Sequence, residues 1–205
     1  MLKKANVAVL VSGGGTNLQA LIDAKTQGII KSGDIKLVIS NNPNAYALKR
    51  AENAGIKSVC VNKKECASQA EFEEKLVKVL EEENIELIVL AGFLCILSEN
   101  FTKKYANRII NVHPSLIPSF CGKGFYGLKV HEEALKYGVK VTGATVHFVN
   151  EIPDGGKIIM QKAVEIKEGD SAETLQRRVM EEAEWIILPK STEIVSKQIA
   201  DERGI

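Results

Sequence analysis

No stretch of this chain is apolar for long enough to cross a bilayer. The longest such run, Leu87 to Leu97, has 11 residues, against the roughly 20 that a spanning helix needs, and it suits a buried strand with its exit loop. Charge of one sign is equally scarce: Lys and Arg total 27 against 26 for Asp and Glu. That balance leaves no electrostatic case for a nucleic-acid or membrane partner. Cys60, Cys66, Cys95 and Cys121 lack any CxxC spacing, which argues against a zinc site or a disulfide framework and for reduced thiols. No residue cluster suggests a metal. Lys3 and Lys4 precede Val7 to Val11, an apolar segment too short for a signal peptide, so a cytoplasmic protein is expected. Internal repeats and low-complexity linkers are also missing, and 205 residues suit one domain.

What is present is an alternation of strand and helix. Val7 to Val11 reads as a valine-rich strand, followed by a helical pattern through Leu18, Leu21 and Ile22. Ile35–Ser40 and Lys57–Val61 read as strands flanking a helix over Tyr46–Ala54 that Gly55 ends. Glu71–Glu83 is helical with Phe72, Leu76, Val79 and Leu80 on one face, and Leu87–Ala91 is a central strand. Arg108–Val112 reads as the fifth strand, His131–Tyr137 as a short helix, and Val139–Val149 with Ile158–Ile166 as a hairpin. A last long helix starts at Asp170 and Ser171 and runs through Leu175, Val179, Ala183 and Ile187. The order predicts a doubly wound, mostly parallel α/β sheet with an antiparallel C-terminal addition and a long C-terminal helix.

Two stretches carry chemistry. After the first strand come Ser12, Gly13, Gly14, Gly15, Thr16 and Asn17, a glycine loop running into a helix start, where backbone amides hold a phosphate. Gly15, Thr16 and Asn17 are the candidate site, although Thr16 and Asn17 are also ordinary N-cap residues. A dinucleotide fingerprint would want glycine where Leu18 stands, and the P-loop lysine is absent, so a monophosphate fits better and no ATP site is evident. Gly122, Gly124 and Gly127 have the fingerprint letters but follow no strand and read as a flexible loop.

The second stretch is Asn111 to Pro118, NVHPSLIP. Asn111 and His113 are two apart, so on a strand they share a face. Pro114 and Pro118 keep the segment out of helix. A carboxamide can donate to a developing oxyanion and an imidazole can move a proton, which suggests acyl or formyl transfer. The plainer reading is a turn-capping Asn111 and a hydrogen-bonded core His113. Asp154 stands beside two glycines in a later turn-rich loop.

Together, SGGGTNLQA at 12–20, LAGFLCILS at 90–98, NVHPSLIPSF at 111–120, GATVHFV at 143–149 and DGG at 154–156 resemble the phosphoribosylglycinamide formyltransferases, folate-dependent enzymes of purine synthesis. The resemblance implies a Rossmann-like formyltransferase fold as a single domain over 1–205. About 1–100 would be a phosphate-binding half and about 101–205 a folate-binding and catalytic half. The formyl group of 10-formyltetrahydrofolate would pass to the amine of glycinamide ribonucleotide (GAR), without metal or ATP, in a monomer or homodimer. Matching positions make Asn111, His113 and Asp154 the catalytic set, with Asp154 raising the His113 pKa and keeping its charged form available. They place GAR on Gly15, Thr16, Asn17 and Glu184, and the folate on Gln69, Leu94, Cys95, Ile96, Leu97, Asn111, Asn150 and Asp154.

Departures from the pattern are Cys95 and Gln69 where relatives often have arginine, and Trp185 where histidine is common, with the helix one residue longer before it. The loop Gly122–Lys129 is expected to close over the folate. Rival expectations are a formyltetrahydrofolate hydrolase, which carries an additional N-terminal domain, and methionyl-tRNA formyltransferase, which carries a C-terminal RNA-binding domain. From another class comes a non-catalytic phosphoribosyl-ligand sensor on the same fold.

Overall fold

Side chains of the first strand, β1 (Ala5–Val11), alternate between two hydrophobic clusters: Val7, Val9 and Val11 join one, Ala8 and Leu10 the other. Such a strand is apolar throughout because both of its faces are covered. In the computed structural model, which describes residues 4–203, the first cluster packs against α1 (Thr16–Thr26), α2 (Tyr46–Asn53), α6 (Ala172–Val179) and α7 (Trp185–Glu202). The second packs against α3 (Gln69–Glu82) and α4 (Glu99–Lys104). Fully buried anchors such as Leu18 and Leu76 each contribute about 1.5–3 kcal/mol.

The remaining strands are β2 (Gly33–Ser40), β3 (Lys57–Cys60), β4 (Leu87–Leu90), β5 (Ile109–His113), β6 (Val141–Phe148) and β7 (Ile158–Glu165). Their order is β3-β2-β1-β4-β5-β6-β7. Pairing is parallel from β3 through β5 and antiparallel for β5–β6 and β6–β7. The doubly wound sheet and its antiparallel addition are therefore as the alternation of elements implied.

Three local features differ from the expectation. Helix α4 spans only six residues, too few for a periodic signal, although Ser98 caps it by accepting from the Phe101 amide. Helix α5 (Leu128–Tyr137) starts three residues before His131, on Gly127, whose φ of 57° suits glycine. The last helix is interrupted by a π turn over Met180–Glu184 between α6 and α7. A π turn takes up one extra residue, which accounts for a helix that looked one residue too long before Trp185. Pro189 lies one turn inside α7. No helix of the described residues is long and apolar enough to cross a membrane.

Candidate active site

Strand order reverses between β1 and β4, and outside that reversal lies a cavity of about 630 Å³, the usual ligand position in an open α/β sheet. Its polar wall includes Asn17, Asn111, His113, His147, Asp154 and Glu184. Leu94, Ile96, Tyr126 and Ile152 also line it, each more than half exposed. Exposed apolar side chains gathered at one opening suit a flat organic ligand.

Asn111 and His113 both reach the cavity from β5, and Val112 between them borders it while packing into the core. The antiparallel neighbour β6 sets His147 opposite Asn111 and Thr145 opposite His113. Thr145 fixes the proline-framed turn, its hydroxyl donating to the Ser115 carbonyl at 2.7 Å and accepting from the Ile117 amide at 3.1 Å. The Ile117–Pro118 peptide is cis. His147 was absent from the sequence-derived set, and its signal was the cross-strand register, which needs the antiparallel pairing of β6 with β5 to be read.

Asp154 joins the two imidazoles. Its Oδ2 is 3.5 Å from His113 Nδ1 and its Oδ1 3.5 Å from His147 Nε2, while the Gly122 amide donates to Oδ2 at 2.8 Å. Burial alone would push this carboxyl up, but the attraction of His113 and the hydrogen bond from the Gly122 amide help hold it below the usual range. Asp154 sits at φ 56°, a conformation that Asp and Asn tolerate better than most residues. The loop returns through Gly156, where a Cβ would lie 1.8 Å from the Phe148 carbonyl.

The His113 pKa corrects an expectation. Burial is the largest influence and lowers it, and the opposing pull of Asp154 and of the Phe120 hydrogen bond leaves it net below 6.5. His113 is therefore neutral at neutral pH, and Asp154 limits the depression without reversing it. His113 Nε2 donates to the Phe120 carbonyl at 2.9 Å, so Nδ1 is the nitrogen that gains and loses a proton. On His147, Nδ1 donates to the Phe148 carbonyl at 2.8 Å. Nε2 then accepts from Asn111 Nδ2 at 3.3 Å, which leaves the second amide hydrogen of Asn111 for a ligand.

At the other end of the cavity, Asn17 does not cap α1. Its Nδ2 donates across the fold to Glu184 Oε2 at 2.7 Å. Helix α1 begins on Gly15, at φ 72°, with no side-chain cap, and the Gly13 and Gly14 carbonyls accept from the Ala47 amide and Arg50 Nε. The loop thus turns oxygens toward α2 and leaves helix-start amides for an anion. Gly15 and Thr16 themselves lie outside the cavity lining. A Cβ on Gly15 would stand 2.6 Å from that of Ala47, so the loop packs against α2 only with glycine there.

Burial pushes the Glu184 carboxyl up to about 7, with the Asn17 hydrogen bond opposing. Between pH 4.5 and about 7 the folded protein keeps a proton that the unfolded chain has released, so stability falls as pH rises through that window. Glu184→Gln is expected to remove about 3 kcal/mol of that loss. Urea denaturation at pH 5 and pH 8 checks this, and an unchanged difference between the two would contradict it.

The β4 exit loop is held from both sides. The Leu94 amide donates to Ser12 Oγ at 2.8 Å, and Gln69 Nε2 donates to the Ile96 carbonyl at 3.1 Å and to Glu73 at 2.6 Å. Gln69 is outside the cavity lining and acts on the loop from behind. Cys95 and Leu97 line the cavity, Cys95 with its sulfur accepting from Asn41 Nδ2 at 3.0 Å. Asn150 lines it too and shapes its own loop by accepting from the Ile152 amide. Among the described residues no group of three or more His, Cys, Asp or Glu could hold a metal ion.

The model of the formyl transferase family matches residues 5–192. This chain belongs to that family. Phosphoribosylglycinamide formyltransferase of Haemophilus influenzae is 41% identical over 183 residues, 89% of this chain and 83% of that protein. The trifunctional purine biosynthetic protein adenosine-3 of Gallus gallus is 47% identical over 193 residues, 94% of this chain. The chain spans 18% of the length of that trifunctional relative. Among solved structures, glycinamide ribonucleotide transformylase 1 of Symbiobacterium toebii superposes with a TM-score of 0.88 at 38% identity, over 95% of this chain and 89% of that one. In this formyl transferase the polar cluster thus stands at the cavity of a fold that its relatives share.

Proposed function

We propose that this chain transfers the formyl group of 10-formyltetrahydrofolate to the amine of GAR in purine biosynthesis, acting in the cytoplasm as one domain with a phosphate-binding and a folate-binding half. The observation that carries the reading is the joining of Asn111, His113, His147 and Asp154 at one cavity in a chain of this family. The GAR phosphate sits on the amides at Gly15, Thr16 and Asn17. Glu184, neutral up to about pH 7, both donates to and accepts from the ribose hydroxyls. The folate lies against Leu94, Cys95, Ile96 and Leu97 and the Asn150–Asp154 loop, and Gln69 holds that wall in place.

The amine attacks the formyl carbon, forming a C–N bond and turning the carbonyl oxygen into an oxyanion, to which the free hydrogen of Asn111 Nδ2 donates. His113, neutral at rest, takes the proton that the attacking nitrogen gives up at Nδ1. The imidazolium is stabilised by Asp154 at 3.5 Å, and its proton goes to N10 of the folate as the C–N10 bond breaks and the carbonyl reforms. The products are formyl-GAR and tetrahydrofolate.

Absorbance of the released folate, followed with and without GAR, tests the reading. Release that requires the amine supports transfer, release without it means a hydrolase, and tight binding without release means a sensor. Asp154→Asn keeps a residue that tolerates positive φ but removes the anion. Turnover is expected to fall about tenfold, and the acidic limb of the pH–rate profile to move to lower pH, because the His113 pKa loses its raising partner. KM for GAR should change less. An unmoved profile at wild-type turnover would take Asp154 out of the mechanism.

A further inference from the structure

His131, in the first turn of α5, is fully buried and lines the cavity, and neither of its ring nitrogens has a hydrogen-bond partner. Buried polar groups in folded proteins are nearly always paired, so two orphans on one ring point to a group that arrives with a ligand. Burial pushes the ring down to about 4, and the nearby His113 acts in the same direction. The imidazole is therefore neutral, with one N–H to donate and one lone pair. Such a ring suits a neutral acceptor and has no charge to offer a phosphate.

The surroundings narrow the ligand. Helix α5 packs on α6, and Gln176 of α6, followed by Met180 and Glu184 of the π turn, lines the same cavity. Asn17, paired with Glu184, has an unpartnered Oδ1 of its own. Of the unpaired groups at the cavity, Asn17 thus stands beside Glu184 and His131 beside His113. Resting on the reading that GAR is the amine substrate, we propose that His131 is a binding residue for GAR, its ring N–H donating to the amide carbonyl of the glycinamide group. It is a positioning residue for the attacking amine and takes no part in proton transfer.

His131→Leu and His131→Gln test this in the full chain. In His131→Leu the free protein loses two unpaired buried nitrogens, so its melting temperature should be equal to or above wild type. KM for GAR should rise about tenfold or more, and KM for the formyl folate should stay within twofold. His131→Gln, which also donates an N–H, should recover part of the GAR affinity. In the wild type, the ring 15N resonances of His131 should shift on titration with GAR alone. Unmoved resonances, or a wild-type KM for GAR in His131→Leu, would overturn the inference while GAR-dependent transfer by the wild type left the proposed activity standing. A destabilised His131→Leu with both KM values raised alike would overturn it in favour of a packing role. A wild-type protein that binds no GAR would overturn both.

Discussion

His113→Ala is expected to lower kcat for formyl transfer by about 10²–10⁴-fold, the usual contribution of a positioned acid–base group, while GAR and folate still bind within a few-fold of wild type. The reason lies in the connections of the ring. Nε2 is committed to the Phe120 carbonyl and Nδ1 faces Asp154, so among the described residues no other side chain offers Nδ1's combination of a depressed pKa and a carboxylate ready to receive the imidazolium. His147 cannot substitute without giving up its contact with Asn111. Because Asp154 acts on transfer through His113, adding Asp154→Asn to His113→Ala should cost little more, a non-additivity that a double-mutant cycle reads directly. Steady-state kinetics at saturating substrates checks the first effect, and a kcat within fivefold of wild type would contradict it.

Asn111→Ala carries the second large effect, a fall of about 10²–10³-fold in kcat, the cost of removing one donor to a developing oxyanion. The side chain is aimed before any ligand arrives: β5 directs it to the cavity, and His147, opposite it on β6, takes one of its two amide hydrogens. A donor held this way pays little reorganisation when the oxyanion forms. His147→Ala should accordingly give a smaller loss of the same kind, in kcat more than in KM, because it frees the carboxamide to rotate. Equal kcat in Asn111→Ala and wild type, measured on the same substrates, would mean that the oxyanion is held elsewhere.

The parts of this site that were legible in the sequence are those fixed by local geometry. The two-residue spacing of Asn111 and His113 needs only a strand to bring them to one face, and the valine-rich β1 followed by three glycines needs only a parallel sheet to become a loop at its carboxyl edge. Long-range partners were not legible. His147 meets Asn111 through the antiparallel register of β5 and β6, Asn17 leaves the helix cap for Glu184 some 167 residues away, and Gln69 reaches the β4 exit loop through the Ile96 carbonyl. The His113 pKa was misjudged for the same reason. Sequence shows the nearby carboxylate, but the burial that outweighs it is a property of the packed cavity. The π turn was visible only as one residue too many, since sequence periodicity does not say how a helix absorbs an insertion.

The measurement that bears most directly on the central claim is the fate of a 13C-labelled formyl group, followed by NMR in wild-type protein supplied with labelled 10-formyltetrahydrofolate and GAR. The label is expected in the formamide of formyl-GAR, appearing in step with tetrahydrofolate and lost in His113→Ala. Label recovered as formate, with or without GAR, would contradict it.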